Sequence, residues 1–395
     1  MPWPTKDVNT IRQEFVTKAM IKGASFAGLC REYGISRKTG YKWRERALED
    51  GLCRLAEHSR RPRSCPTQLD EKTTCTLIRL KLRHPHWGPK KIRHLYARQF
   101  DQVPSLSSCQ RVLTRAGLVL SRPRRSKPAS ERIQIGAVAH APNEVWTVDF
   151  KGWWRVASGQ RCEPLTVRDA FSRYVLAACT PPKADTAHLR TIFAQLFAVH
   201  GLPLVIKSDN GAPFATAAAP LGLSRLSAWW VALGIDLDRS RPAHPQDNGA
   251  HERLHKDIER EVAGCVQTDL HAQQAALDQW REEFNWERPH ESLAGRSPGE
   301  IYKRSARLLP TGPITIVYGP GFFPRKVSAN GTICWQNTMI SLSTALAGWE
   351  VGLRYQDADH LEVWFAHLLV GSLELSSERF LRAQSRPPEP LTASA

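Results

Sequence analysis

Three carboxylates in this chain stand where strand or helix ends would bring them together. Asp149 lies in the phrase WTVDFKG, inside an apolar run that reads as a strand. Asp209 follows the short buried run Leu204–Ser208, in SDNG. Glu252 opens a helix after HPQDNGAH. Carboxylate oxygens suit hard divalent cations. Two Mg²⁺ about 3.5–4 Å apart can activate an attacking oxygen and stabilise a leaving one during in-line displacement at phosphorus. Such chemistry needs no Ser, Tyr or Cys nucleophile. With 38 acidic residues available, a bare trio carries no weight, and its meaning comes from the surrounding residues.

The elements that must position this trio are legible between residues 144 and 285. Val145–Val156, Glu163–Arg168 and Tyr174–Thr180 read as strands, Thr186–His200 as a helix, and Leu204–Ser208 as a short buried strand. Leu223–Leu233 reads as a helix, Asp236–Ser240 as a strand, and Asn248–Val262 and Leu270–Asn285 as helices. Three consecutive strands followed by alternating helix and strand suit a mixed five-stranded sheet flanked by helices.

Charge separates this region from what precedes it. Residues 1–135 hold 29 Lys and Arg against 11 Asp and Glu, so the whole net charge of +17 resides there and the remainder is close to neutral. A basic arm on a neutral working part points to a polyanion partner. No long apolar run or leader pattern points to a membrane. The nine scattered cysteines lack Cys-x-x-Cys spacing, which fits reduced thiols and argues against a zinc finger or disulfide framework.

Within the basic third, residues 10–22 read as a helix with Ile11, Phe15, Val16 and Ala19 on one face. Ser25 caps a second helix through Tyr33, Gly34 turns the chain, and Ser36 caps a third. That order is a helix-turn-helix, whose second helix can enter a major groove. Arg37, Lys38, Lys42 and Arg44 are its candidate DNA contacts, and Tyr41 or Trp43 belongs to its core. A second helical module spans 67–120, with a helix near 67–83, a basic segment carrying Lys90 and Lys91, and a helix capped by Ser107 or Ser108. Arg/Pro-rich stretches at 59–66 and 121–128 read as linkers. Short alternating runs between 315 and 376 read as a small antiparallel barrel or sheet, and composition makes the final residues a disordered tail.

The phrases WTVDFKG, SDNGAPF, HPQDNGAHERLHK and FNWERPHESLAGRSPGEIY resemble those of insertion-sequence transposases of the DDE type, whose core is similar to that of retroviral integrases. CREYGISRKTGYKW and HPHWGPKKIRHLY resemble the family's helical DNA-binding modules, and RKVSANGTICWQNTMISLSTALAGWEVGLRY its C-terminal barrel. The resemblance implies a multidomain chain: helix-turn-helix domain 1–58, second module 67–120, basic linker 121–137, ribonuclease-H-like core 138–305, barrel 314–376 and tail 377–395. It implies that Asp149, Asp209 and Glu252 are catalytic and bind two Mg²⁺, with Mn²⁺ as a possible substitute. It further implies binding of element ends and target DNA, strand cleavage and transfer, assembly as a homo-oligomer on DNA, and a cytoplasmic, nucleoid-associated location with no membrane. The competing expectation is an inactive or domesticated DNA-binding protein or repressor of the same fold.

Some neighbours stay open between two roles. Lys256, four residues after Glu252, could contact a phosphate or pair along the helix. Trp153 and Trp154 could stack on bases or pack on the sheet. His244 and His251 read as hydrogen-bonded residues, Asp169 as structural, and Arg288–His290 as a docking end. Between Asp209 and Glu252 lie 42 residues, more than the family often has. The Ala/Pro/Leu-rich stretch 215–226 offers a place for the excess that leaves the carboxylates where they are.

Overall fold

The computed structural model describes residues 7–57, 68–119, 136–241 and 249–383. The two expected linkers and His244 lie outside them. The chain divides into two compact units, Met1–Gln68 and Leu69–Ala395.

The first unit holds helices α1 (Val8–Ala19), α2 (Phe26–Glu32) and α3 (Arg37–Asp50). Each begins at a side-chain cap: Asp7 accepts from Asn9 N, Ser25 from Gly28 N and Ser36 from Thr39 N. These oxygens satisfy amides that have no partner within the helix. Phe15, Val16, Cys30, Trp43, Ala47 and Leu55 form the core. Trp43 is buried, while Tyr41 is exposed and stacks on Phe26, which resolves the choice left open by the sequence. Gly40 sits where α3 approaches the other helices; a Cβ there would meet Cys30 Sγ at 2.8 Å and Phe15 Cζ at 3.0 Å.

The second unit opens with α4 (Glu71–Arg83), α5 (Pro89–Ala97) and α6 (Leu106–Arg115), packed around Leu77, Trp87, Ile92, Tyr96, Cys109 and Leu113. The cap of α6 is Ser105, which accepts from Ser108 N. The cap expected at Ser107 or Ser108 therefore lies earlier, and both of those serines fall inside the helix.

The core begins with β1 (Val145–Phe150), the hairpin β2 (Trp154–Arg155) and β3 (Arg161–Cys162), β4 (Leu165–Asp169) and β5 (Val175–Cys179). Then come α7 (Thr186–His200), β6 (Val205–Ser208), α8 (Arg225–Ala232), β7 (Asp236–Arg239), α9 (Gly249–Ile258) and α10 (Leu270–Glu282). The central sheet takes five strands, in the order β5-β4-β1-β6-β7, with the first three antiparallel and β6 and β7 parallel to β1. This is the mixed five-stranded sheet the pattern predicts. The run expected as one strand through Val156 ends at Phe150, because Gly152 turns the chain at φ +84° and the hairpin β2–β3 forms a separate two-stranded sheet.

Alternation along β1 sorts its two faces. Trp146 and Val148 pack with Phe193 and Phe197 of α7 and with Trp229 and Trp230 of α8. Full burial of each such side chain contributes about 1.5–3 kcal/mol. Thr147 and Asp149 face the opposite side. There Leu254 and Ile258 of α9 join Leu277 and Trp280 of α10 against Val175 and Ala178 of β5. Both helices end in one π-helical turn, Glu259–Ala263 and Glu283–Glu287. Asp169 closes the β4–β5 turn, accepting from Asn143 N at 2.7 Å and Ser172 N at 2.7 Å, a structural role as expected.

The C-terminal strands are β8 (Phe323–Lys326), β9 (Thr332–Trp335), β10 (Thr338–Ser341), β11 (Glu350–Tyr355), β12 (His360–Phe365), β13 (Leu368–Glu374) and β14 (Arg379–Arg382). They make an antiparallel sheet of order β14-β13-β12-β11-β8 and a hairpin β9–β10 that lies beside both edge strands. All enclose one core with Val327, Ile333, Leu346, Val363 and Phe365. The tail expected from residue 377 therefore begins later: Arg379–Arg382 add a strand, with Phe380 packed on the core. The rest of the expected tail, from residue 384, lies outside the described residues. The stretch 215–226 also joins this core through Ala219 and Leu223, so the excess length between Asp209 and Glu252 docks the C-terminal sheet.

Among the described residues no helix is long and apolar enough to cross a membrane, and the eight described cysteines are free thiols.

Candidate active site

Register sets the first two acids level. β1 and β6 run parallel, with Thr147 opposite Lys207. Two residues further along each chain come Asp149 and Asp209, at the carboxyl ends of neighbouring parallel strands. Open α/β sheets bind their ligands in that crevice. On the other flank Asp149 pairs with Thr166 of β4.

Helix α9 is fastened over this place by a buried polar network. His251 is fully buried; its Nδ1 lies 2.9 Å from Thr147 Oγ1 and its Nε2 2.6 Å from Thr166 Oγ1. One turn on, His255 Nε2 lies 2.9 Å from the same Thr166 oxygen. Thr166 Oγ1 donates its proton to the Asp149 carbonyl at 2.9 Å. A hydroxyl has one proton to give, so both imidazole Nε2–H groups donate to its oxygen. His255 Nδ1 is left bare, 3.9 Å from Asp149 Oδ2. Burial holds both imidazoles neutral, His251 well below its ordinary pKa and His255 down to about 4, with the nearby Arg168 adding to both shifts. Glu252, half-buried, stands between the two anchoring histidines. Thr147, Thr166 and His255 were not singled out from sequence. The available signal was a pair of histidines one turn apart on the helix and threonines at alternating strand positions.

The electrostatics tie the three acids together. Asp149 is pushed up to about 6, first by burial, then by the charge of Asp209, and less by that of Glu252. A carboxylate destabilised by neighbouring negative charge favours a shared cation. A Cβ at Gly211 would meet Asp209 Oδ2 at 3.0 Å, and Gly211 N donates to Asp209 Oδ1 at 3.2 Å, so glycine there leaves this carboxylate room. The trio is not drawn tight. Among the described residues, the one group of three with ligand atoms all within 4.8 Å is Asp359, His360 and Glu374. Those residues are already engaged in turn bonds: Asp359 accepts from Ser376 N and Oγ, and His360 contacts Asp357.

Comparison with known proteins bears on the family. Models of the integrase core domain match residues 139–245 and 233–298, a helix-turn-helix domain matches 11–63, and a homeodomain-like domain matches 39–113. A 39.2 kDa protein of insertion element IS476 from Xanthomonas euvesicatoria is 26% identical over 283 residues, 70% of this chain and 78% of that one. A 31.7 kDa protein of insertion element IS407 from Burkholderia multivorans is 25% identical over 241 residues, 60% of this chain and 82% of that one. The integrase-core and helix-turn-helix models and the two insertion-element relatives together support an insertion-sequence transposase with an integrase-like core. Among solved structures it is similar to the catalytic core domain of HTLV-2 integrase in complex with magnesium, with TM-score 0.34, 18% identity, and 42% of this chain and 100% of that one covered.

The residues expected to touch DNA fall into different settings in this chain. Arg37 and Lys38 are exposed at the start of α3. Lys42 pairs with Glu57 at 3.0 Å, and Arg44 lies over the rings of Phe26 and Tyr41. Lys256 is exposed on α9. Lys90 pairs with Glu291 of the core. Lys91 is lowered to about 8, by burial and then by Arg288. They belong to a seam in which Arg83 meets Glu287, His84 Nδ1 meets Glu283 at 2.9 Å and Arg98 meets Glu300 at 3.2 Å. Periodicity reveals that a helix is basic; it does not reveal that the carboxylates of another segment face it. Arg288, from the phrase read as a docking end, is buried between Asp257 and Glu261, 2.7 Å from each, and so ties the end of α10 to α9.

Proposed function

We propose that this transposase binds the terminal repeats of its own element through the helical modules in residues 1–120, and cuts and joins DNA strands at Asp149, Asp209 and Glu252. The observation that carries this reading is the level pairing of Asp149 and Asp209 at the ends of β1 and β6, with Glu252 delivered by a helix pinned to β1 and to its other neighbour, β4. The acid donor set and the raised pKa of Asp149 fit divalent cations, Mg²⁺ first and Mn²⁺ as a substitute. When bound, such ions supply Lewis-acid activation of the attacking oxygen and stabilise the charge on the leaving one.

The chain's own residues do the rest. Asp149 on the central strand β1, Asp209 at the end of β6 and Glu252 on α9 are the residues that would hold the cations. Thr166 fixes the Asp149 backbone and, through His251 and His255, the angle of α9. Lys256, exposed one turn beyond Glu252, holds a phosphate next to the reacting one. The protein acts in the cytoplasm at the nucleoid, as a multimer that holds two DNA ends.

The test is strand transfer with duplexes taken from the DNA flanking the gene, in Mg²⁺. Wild type joins them to target, whereas Asp149→Asn, Asp209→Asn and Glu252→Gln each lose joining and keep duplex binding. Equal joining by wild type and all three variants refutes the assignment. Binding without joining by wild type itself favours a repressor of the same fold.

A further inference from the structure

The pair Trp153-Trp154 divides its roles. Trp154 turns inward against the α9–α10 core, with Nε1 3.4 Å from Gln273 Oε1. Trp153 stays 53% exposed. An indole left in water forgoes much of the benefit of burial. Two guanidinium groups attend it: Arg161 Cζ lies 4.9 Å and Arg155 Cζ 5.7 Å from its ring. Arg155 and Arg161 are cross-strand partners in β2–β3. Arg155 donates to Gly159 O at 2.7 Å, and Arg161 pairs with Glu163 at 2.8 Å, so both heads are held near the ring. The hairpin is braced from below, where Ala157 N and Ser158 N donate to Gln267 O and Thr268 O, each at 2.9 Å. This is a rigid aromatic platform with a cationic border.

Its position gives it a task. Trp153 follows Asp149 by four residues, which limits their separation to roughly 13 Å of extended chain. That is a reach of a few nucleotides from any phosphate handled at Asp149. A strand end must separate from its partner to enter such a crevice, and the first unpaired bases then need a surface. Aromatic faces receive bases without regard to sequence, and flanking arginines receive the phosphates.

We infer that Trp153, bordered by Arg155 and Arg161, is a docking platform for an unpaired base of the DNA end, a few nucleotides from the reacting phosphate. The inference rests on the active-site reading for its purpose, but its test does not need catalysis. Binding is measured by fluorescence anisotropy in Ca²⁺ with the full chain and two labelled probes, a blunt duplex and a forked duplex ending in unpaired thymidines. Wild type prefers the forked probe. Trp153→Ala loses roughly 5- to 100-fold in affinity for it with little change on the blunt duplex, and Trp153→Phe restores the preference. Arg155→Ala with Arg161→Ala weakens both probes and flattens the dependence on salt.

Trp153→Ala binding the forked probe as wild type does overturns the inference, as does an equal loss on both probes. Asp149→Asn serves as the internal reference. If that variant still joins strands while Trp153→Ala loses fork preference, the active-site assignment falls and the platform stands.

Discussion

Replacing Thr166 by valine keeps the shape of the side chain and deletes the one oxygen that joins β4, β1 and α9. That oxygen receives N–H groups from His251 and His255 and gives its proton to the Asp149 carbonyl. His251 is fully buried, so its Nε2–H loses its acceptor with no water to replace it, at a cost of about 1–3 kcal/mol. The lost bond to the Asp149 carbonyl adds about 0.5–1.5 kcal/mol. His255, 14% exposed at its side chain, reaches solvent and adds less. Together these give about 2–4 kcal/mol of lost stability in the core. Urea unfolding followed by a probe in α9 reads that loss directly. Strand joining falls with it, because Glu252 is no longer held at a fixed angle, and Thr166→Ser recovers both. Thr166→Val with an unchanged unfolding midpoint and full joining would falsify the claim that this network positions the helix.

Other outcomes follow from the same contacts. Arg288→Met removes the buried one of the two guanidinium groups shared by Asp257 and Glu261, leaving them only the more exposed Arg260, and costs at most about 3–5 kcal/mol in the same unfolding assay; a loss under 1 kcal/mol contradicts the docking role. His200 and His255 are lowered to about 4 and His290 to about 3, in each case chiefly by burial, and burial also holds His251 well below its ordinary value. Below about pH 6.5 the unfolded chain therefore takes up protons that the folded chain refuses, and stability falls on acidification toward pH 4, by about 1.4 kcal/mol per pH unit for each histidine. Asp149, raised to about 6, opposes this over part of the range but is one group against four. A flat unfolding profile between those pH values would count against the buried, neutral histidines. Arg37→Ala with Lys38→Ala should weaken duplex binding and reduce its salt slope by about two, and an unchanged slope would move the contacts elsewhere on α3.

The order of strands and helices around the three acids was legible because buried strands and amphipathic helices carry different apolar periods. The caps at Ser25 and Ser36 and the turn at Gly34 were legible for the same local reason. Less of the site was legible. Nothing in HPQDNGAHERLHK says which strand residues His251 and His255 will find, since Thr147 and Thr166 are brought beneath α9 by sheet register rather than by spacing along the chain. The seam that occupies Lys90 and Lys91 was hidden similarly, because its carboxylates at 283, 287, 291 and 300 lie some 200 residues away. Three readings failed on local grounds: the long first strand broke at Gly152, the cap of α6 fell at Ser105 rather than Ser107 or Ser108, and Phe380 drew Arg379–Arg382 out of the supposed tail into the sheet.

The account depends on Asp149, Asp209 and Glu252 sharing cations. Fe²⁺ can stand in for Mg²⁺ at oxygen ligands, and with ascorbate and peroxide it cuts the backbone beside the place where it binds. Mass spectrometry of the fragments should show cuts clustered near residues 149, 209 and 252 that disappear when excess Mg²⁺ is added. Cuts confined to the segment around Asp359, His360 and Glu374, with the three acids untouched, would contradict it.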